Sequence, residues 1–188
     1  MAVLIRDETP TAEHCCDDRA QKKSATPDAP YHYVGSGLRN VYLVGITYYV
    51  CSQCGKQAAE IPAIKQLHAA LGRALVSKSS PLTGLEVRFL RKRLGKRAVD
   101  FSPMVSLTPE YLSAVENSPD PIDPGRDKLV RLIYRALSGE KVLKAVFDKR
   151  DDFQRWITSI HKSGVGDRIT AFLLKNKQWK VETEAIAA

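Results

Sequence analysis

The sequence predicts an α+β chain: a small antiparallel β meander with one helix, then an all-α module, then a helical and hairpin extension. Three observations carry that prediction. Tyrosine- and valine-rich runs punctuated by glycine fill residues 31–51. Capped segments with a 3.6-residue apolar repeat fill residues 82–137. Between them Ile64, Leu67, Leu71 and Leu75 mark an amphipathic helix beginning near Pro62.

At 188 residues the chain holds one ordinary domain or two small ones, and 44% hydrophobic content excludes wholesale disorder. No apolar run reaches the eighteen residues of a membrane span, and Met1–Glu8 is too short an apolar stretch for a secretory signal. The expectation is a cytoplasmic protein that does not engage membrane. Formal charge is +8, yet residues 1–29 carry four cations and six anions, leaving +10 on the remainder. A polyanion, most commonly nucleic acid, suits that remainder; a solvated basic surface is the plain alternative.

Residues 1–29 are polar and aperiodic, and read as a mobile tail carrying His14, Cys15 and Cys16. Residues 30–76 form the β region plus helix. Tyr31 and Tyr33 precede a Gly35-Ser36-Gly37 turn, Val41–Val44 makes one strand, and Ile46–Val50 delivers Cys51 and Cys54 to a turn closed by Gly55. Cys-x-x-Cys-Gly is the half-site of a zinc ribbon, because two intervening residues let both sulfurs reach one tetrahedral ion. Cys15 and Cys16 are the candidates for the remaining ligands, although adjacent side chains tend to diverge. The competing reading leaves Cys51 and Cys54 as small thiols without metal. His68 reads as a core-edge histidine.

Residues 77–81 read as a polar linker. In the module at 82–139, Thr83-Gly84-Leu85-Glu86 is a capping box, and Gly95 suits a left-handed helix end. Arg88, Arg91, Lys92, Arg93, Lys96 and Arg97 crowd the polar side of that first helix. A short segment follows in which Pro103 should kink the chain. Thr108 then caps a helix opened by Pro109 and closed at Asn117-Ser118-Pro119. A capped basic helix followed by two short helices across a tight turn is the helix-turn-helix plan. Asp123 caps a further helix ending at Ser138-Gly139. Residues 140–188, of no assigned role, suggest helices at about 140–148 and 151–162 and a hairpin through Ile169 and Trp179.

The order of parts is similar to a known family. Tyr31-His32-Tyr33, Ser36–Leu43, Cys51-x-x-Cys54-Gly55 and Ile61–His68 resemble the YgiT-type zinc-finger region of MqsA-family antitoxins. Leu82-Thr83-Gly84-x-Glu86 through Leu94-Gly95, with Glu116-Asn117, resembles the Cro/C1-type, XRE-family helix-turn-helix that follows it in that family. The resemblance covers about residues 31–137. It implies a dimeric regulator of palindromic operators that holds a toxin through its zinc-bearing part. It implies zinc on four cysteines, of which Cys51 and Cys54 match and Cys15 and Cys16 replace the first knuckle. The chain departs from the family at Arg97-Ala98, where Ser-Gln is common, and at Ala114, where an arginine is common. Phosphate contacts should therefore carry a larger share of binding here than base contacts.

The function expected from these residues is a non-enzymatic, sequence-selective DNA-binding repressor acting on double-stranded DNA, and the resemblance implies a homodimer that is the antitoxin of a toxin–antitoxin pair. Lys96 and Arg97 would hold phosphates, while Thr108, Glu110, Tyr111 and Ser113 stand nearest the base edges. Thr108 also caps its helix, and Tyr111 suits partial burial nearly as well as DNA contact. Ala114 and Pro103 motivate a different class of function, a protein-interaction module on a decayed helix-turn-helix scaffold without specific DNA binding. A thiol oxidoreductase at Cys51 and Cys54 is disfavoured, since no thioredoxin-like βαβ pattern surrounds them.

Overall fold

The computed structural model describes residues 3–6, 20–139, 150–159, 167–174 and 176–185. The chain is mixed α+β and falls into two compact units, Met1–Ala70 with Arg168–Glu182 and Leu71–Asp167 with Thr183–Ala188. Among the described residues no helix is long and apolar enough to cross a membrane.

The first unit is built on two four-stranded sheets. Strands β1 (Val3–Arg6), β6 (Gln57–Ile61), β5 (Thr47–Cys51) and β2 (Ala20–Ser24) form one, antiparallel throughout. The other runs β3 (Tyr31–His32), β4 (Val41–Val44), β7 (Asp167–Leu173), β8 (Trp179–Ala185). This corrects the expected meander, because β4 and β5 lie in different sheets. The chain changes sheet at Gly45, whose φ of +85° admits the bend. Gly45 N–H donates to Ala25 O (2.9 Å), and Ala25 N–H donates to Ile46 O (2.9 Å). A side chain at Gly45 would press on the Leu173 carbonyl.

The expected tail is also corrected at two places, since Val3–Arg6 and Ala20–Ser24 are strands of the first sheet. Every residue of β2 is exposed. Its polar composition therefore gave no periodic signal, although its backbone completes the ladder beside β5. Strand β4 pairs in parallel with β7, from the C-terminal extension, and Val41, Leu43, Ile169 and Ala171 are wholly buried there. The extension thus completes a core begun more than a hundred residues earlier. The indole of Trp179 donates to Pro62 O (3.0 Å), and Tyr33 Oη shares a hydrogen bond with His68 Nε2 (3.0 Å). His68 sits half-buried at the core edge, as read from its place beside the apolar stripe.

Helix α1 (Ile64–Ser77) precedes the helices of the second unit: α2 (Gly84–Arg93), α3 (Ala98–Phe101), α4 (Pro109–Glu116), α5 (Pro124–Leu137) and α6 (Arg150–Ser159). The capping box forms as expected, Thr83 N–H donating to Glu86 Oε2 (2.7 Å) and Glu86 N–H to Thr83 Oγ1 (3.4 Å). Pro103 converts the end of α3 into a 3-10 turn over Ser102–Val105. The expected helix at about 140–148 lies outside the described residues.

Gly84 has a packing role. A Cβ there would collide with the Val115 carbonyl of α4 and crowd Ser118 O, so the first turn of α2 rests on the end of α4. Gly84→Ala is expected to destabilise the protein by about 1–3 kcal/mol, the usual cost of overpacking. A thermal melt unchanged from that of the parent would refute this packing role.

The segment expected as a polar linker is buried at Lys78 and Ser80. Arg131, fully buried, gathers the chain end of α1. Its Nε binds Asp127 (3.0 Å), and its terminal nitrogens donate to the carbonyls of Leu75 (3.2 Å), Lys78 (2.6 Å) and Ser80 (2.6 Å). Asp127 in turn accepts from Leu82 N–H (2.8 Å). Lys78 Nζ joins Glu86 (2.9 Å) and Asp167 (3.5 Å), and Ser80 Oγ donates to Asp167. Three anions thus face Lys78 and Arg131, with Arg135 alongside. Burial and the Arg131 charge push Arg135 down to about 10. Polar side chains at 77–81 read as a linker although their buried partners come from Glu86, Arg131 and Asp167.

Candidate nucleic-acid interface and cysteine knuckle

Helix α4 has two sharply different sides. Leu112 and Glu116 are buried, whereas Glu110, Ser113, Ala114 and Asn117 are exposed. Those four positions fall at i, i+3, i+4 and i+7, one outward stripe of a 3.6-residue helix. The helix is opened by Thr108, whose Oγ1 accepts from Tyr111 N–H (3.3 Å), with Pro109 following. Thr108 therefore caps and is exposed as well. The turn before it is tight: Ser106 adopts a left-handed φ of 54°, and Leu107 N–H returns to Ser102 O (2.9 Å).

The six cations read on the polar side of α2, a basic rim, divide into two groups. Arg91 is buried and makes a two-pronged pair with Glu116, both distances 2.6 Å. That contact holds Arg91 above its ordinary pKa, so it is a fixed cation. Its remaining nitrogen donates to Lys96 O (2.7 Å). Arg91 thereby ties the backbone of the α2–α3 turn to the end of α4. The turn itself closes as expected at Gly95, with φ of +66°.

Arg88, Lys92 and Arg97 are exposed, and Arg93 and Lys96 half-buried. Arg97 is 79% exposed in its side chain and engages Asp100 through Nε (2.8 Å) and a terminal nitrogen (3.2 Å). That pairing raises the Arg97 pKa and lowers that of Asp100. Part of its fork is therefore already occupied. Arg88, not singled out as a site residue from sequence, donates to Asn117 Oδ1 (3.1 Å) at the far end of the stripe. Its position one turn before Arg91 was the available signal.

Of the sequence-derived site residues, Lys96, Arg97, Thr108, Glu110, Tyr111 and Ser113 all belong to this helical module, and none is fully buried. Tyr111 is 55% exposed. It also lines a largely apolar groove with Val87, Leu107, Leu112, Val115, Ile122 and Val130.

The cysteines present a separate arrangement. Cys51 ends β5 and is buried; Cys54 is exposed in the following turn. Gly55 N–H donates to Cys51 O (2.9 Å) and Cys51 N–H to Lys56 O (2.9 Å), with Gly55 at a φ of +70°. Cys15 and Cys16 lie outside the described residues. Among the described residues, no group of three or more His, Cys, Asp or Glu is placed to hold a metal. The donor set fits zinc by its chemistry, two thiols two residues apart, and supplies half of a tetrahedral shell. Ala20 stands opposite Cys51 in the antiparallel pair of β2 with β5. Three residues, hence four Cα steps, separate Cys16 from Ala20, a reach of at most about 14 Å.

Compared with family models, curated proteins and solved structures, the chain matches none.

Proposed function

We propose that the protein is a sequence-selective DNA-binding regulator that represses transcription as a homodimer. The observation that carries this reading is the exposed stripe of α4, met by Arg88 at Asn117, in a helical module that also exposes Lys92 and Arg97 and is tied together by the Arg91–Glu116 pair. Two short helices across a tight turn suit the major groove, which admits one α-helix. In the proposed dimer, two such helices about 34 Å apart enter successive grooves and block transcription sterically. Titrating the full chain into a fluorescent fragment of its own promoter tests this. Affinity should fall about a thousandfold between about 50 and 200 mM salt if each protomer meets three phosphates. A flat response, or no binding, would overturn the proposal.

The resemblance to MqsA-family antitoxins extends the proposal to a second partner, a toxin held through the cysteine-bearing unit. In this proposal a zinc ion, held by Cys51 and Cys54 with Cys15 and Cys16, supplies a structural crosslink. The turn that carries Cys51 and Cys54, and the short stretch of sequence from Cys16 to Ala20, which stands opposite Cys51, support that assignment. Elemental analysis of the purified chain should then give about one zinc per protein. Cys51→Ser with Cys54→Ser should lose it; metal-free parent protein would refute the site.

A further inference from the structure

We infer that Glu110 sets the base preference of each half-site by accepting a hydrogen bond from the N4 amino group of a cytosine. This rests on the DNA-binding reading above and gives it a substrate preference. The argument starts from what the outward stripe of α4 can offer. Asn117 is committed: its Nδ2 donates to Ser113 O (2.8 Å) and its Oδ1 accepts from Arg88. Ala114 presents a methyl group, and Ser113 a hydroxyl that serves donors and acceptors alike. Glu110 is therefore the one ionised side chain on the stripe. It is exposed, and no described residue forms an ion pair or a side-chain hydrogen bond with it.

A carboxylate in the first turn of a helix is accounted for in part by the helix dipole, worth about 0.3–1 kcal/mol at an exposed position. Against DNA the same group meets repulsion from phosphates on every sequence. Only a donor on a base edge distinguishes one sequence from another. In the major groove the donors are cytosine N4 and adenine N6. Adenine N6 lies between two acceptors, its own N7 and the O4 of the paired thymine, which repel a carboxylate on both flanks. Cytosine N4 has an acceptor on one flank alone, the O6 of the paired guanine. The anion therefore favours cytosine. Ala114, one turn further along, suits the methyl of a neighbouring thymine.

Selection from a pool of random duplexes tests this, using the full chain and its Glu110→Gln and Glu110→Ala variants, with sequencing of bound DNA. The parent should select cytosine at one position of each half-site, and replacing that base should weaken binding about tenfold or more. Glu110→Gln should select adenine there, since an amide matches adenine N6 and N7. Glu110→Ala should lose preference at that position and keep it elsewhere. A motif unchanged in Glu110→Ala would overturn the inference while leaving DNA binding intact. Absence of any selected motif for the parent would overturn the regulator reading itself, and this inference with it.

Discussion

Arg131→Met is expected to cost about 3–5 kcal/mol, the penalty for removing one partner of a buried ion pair. The side chain is fully enclosed, and three backbone carbonyls and the Asp127 carboxylate depend on it. Methionine fills much of the volume and supplies no donor. Asp127 then loses its guanidinium partner while still accepting from Leu82 N–H, and the end of α1 loses its cap. Against a total stability of about 5–15 kcal/mol, that loss removes a large share. Urea unfolding of parent and variant measures it. The exposed pair Arg155–Asp152 is the internal control, because Arg155→Met should change stability by about 1 kcal/mol or less. Equal small effects at both positions would show that the buried cluster does not hold the second unit together.

Reversing the rim charges, Lys96→Glu with Arg97→Glu, is expected to weaken operator binding roughly a hundredfold or more at about 0.1 M salt. In the proposed dimer this removes four of six phosphate contacts. The slope of log affinity against log salt should then fall from about −5 to about −2. Stability should stay near that of the parent. Arg97 is mostly exposed, and Lys96 contributes its carbonyl, not its ammonium group, to the Arg91 contact. A variant that binds DNA with the parent's slope would place the phosphate contacts elsewhere.

The helical module was legible because its signals are local. Thr83 with Glu86, Gly95, Thr108 with Pro109, and Asp123 each announce a helix end within four residues, and each is found at that end. The outward face of α4 followed from the same periodicity. The sheets were legible only in part. Strands at Val41–Val44 and Thr47–Cys51 are apolar enough to read, yet nothing nearby tells that Gly45 sends them to different sheets. Their partners, Ala20–Ser24 and Asp167–Leu173, lie far away in sequence. Charge was misread for a related reason. Arg91 looks like its neighbours in the row of cations, and the difference is Glu116, twenty-five residues on. Lys78 and Ser80 looked like linker residues because, Glu86 apart, the partners that bury them, Arg131 and Asp167, lie more than fifty residues on.

Photocrosslinking decides most directly whether α4 meets the bases. A benzophenone side chain placed at Ser113, in the middle of the outward stripe, should crosslink to bases in both half-sites of the promoter fragment. The same group at Ala136, exposed near the end of α5, should give none. DNA that is bound yet captured from position 136 and not from 113 would contradict the account.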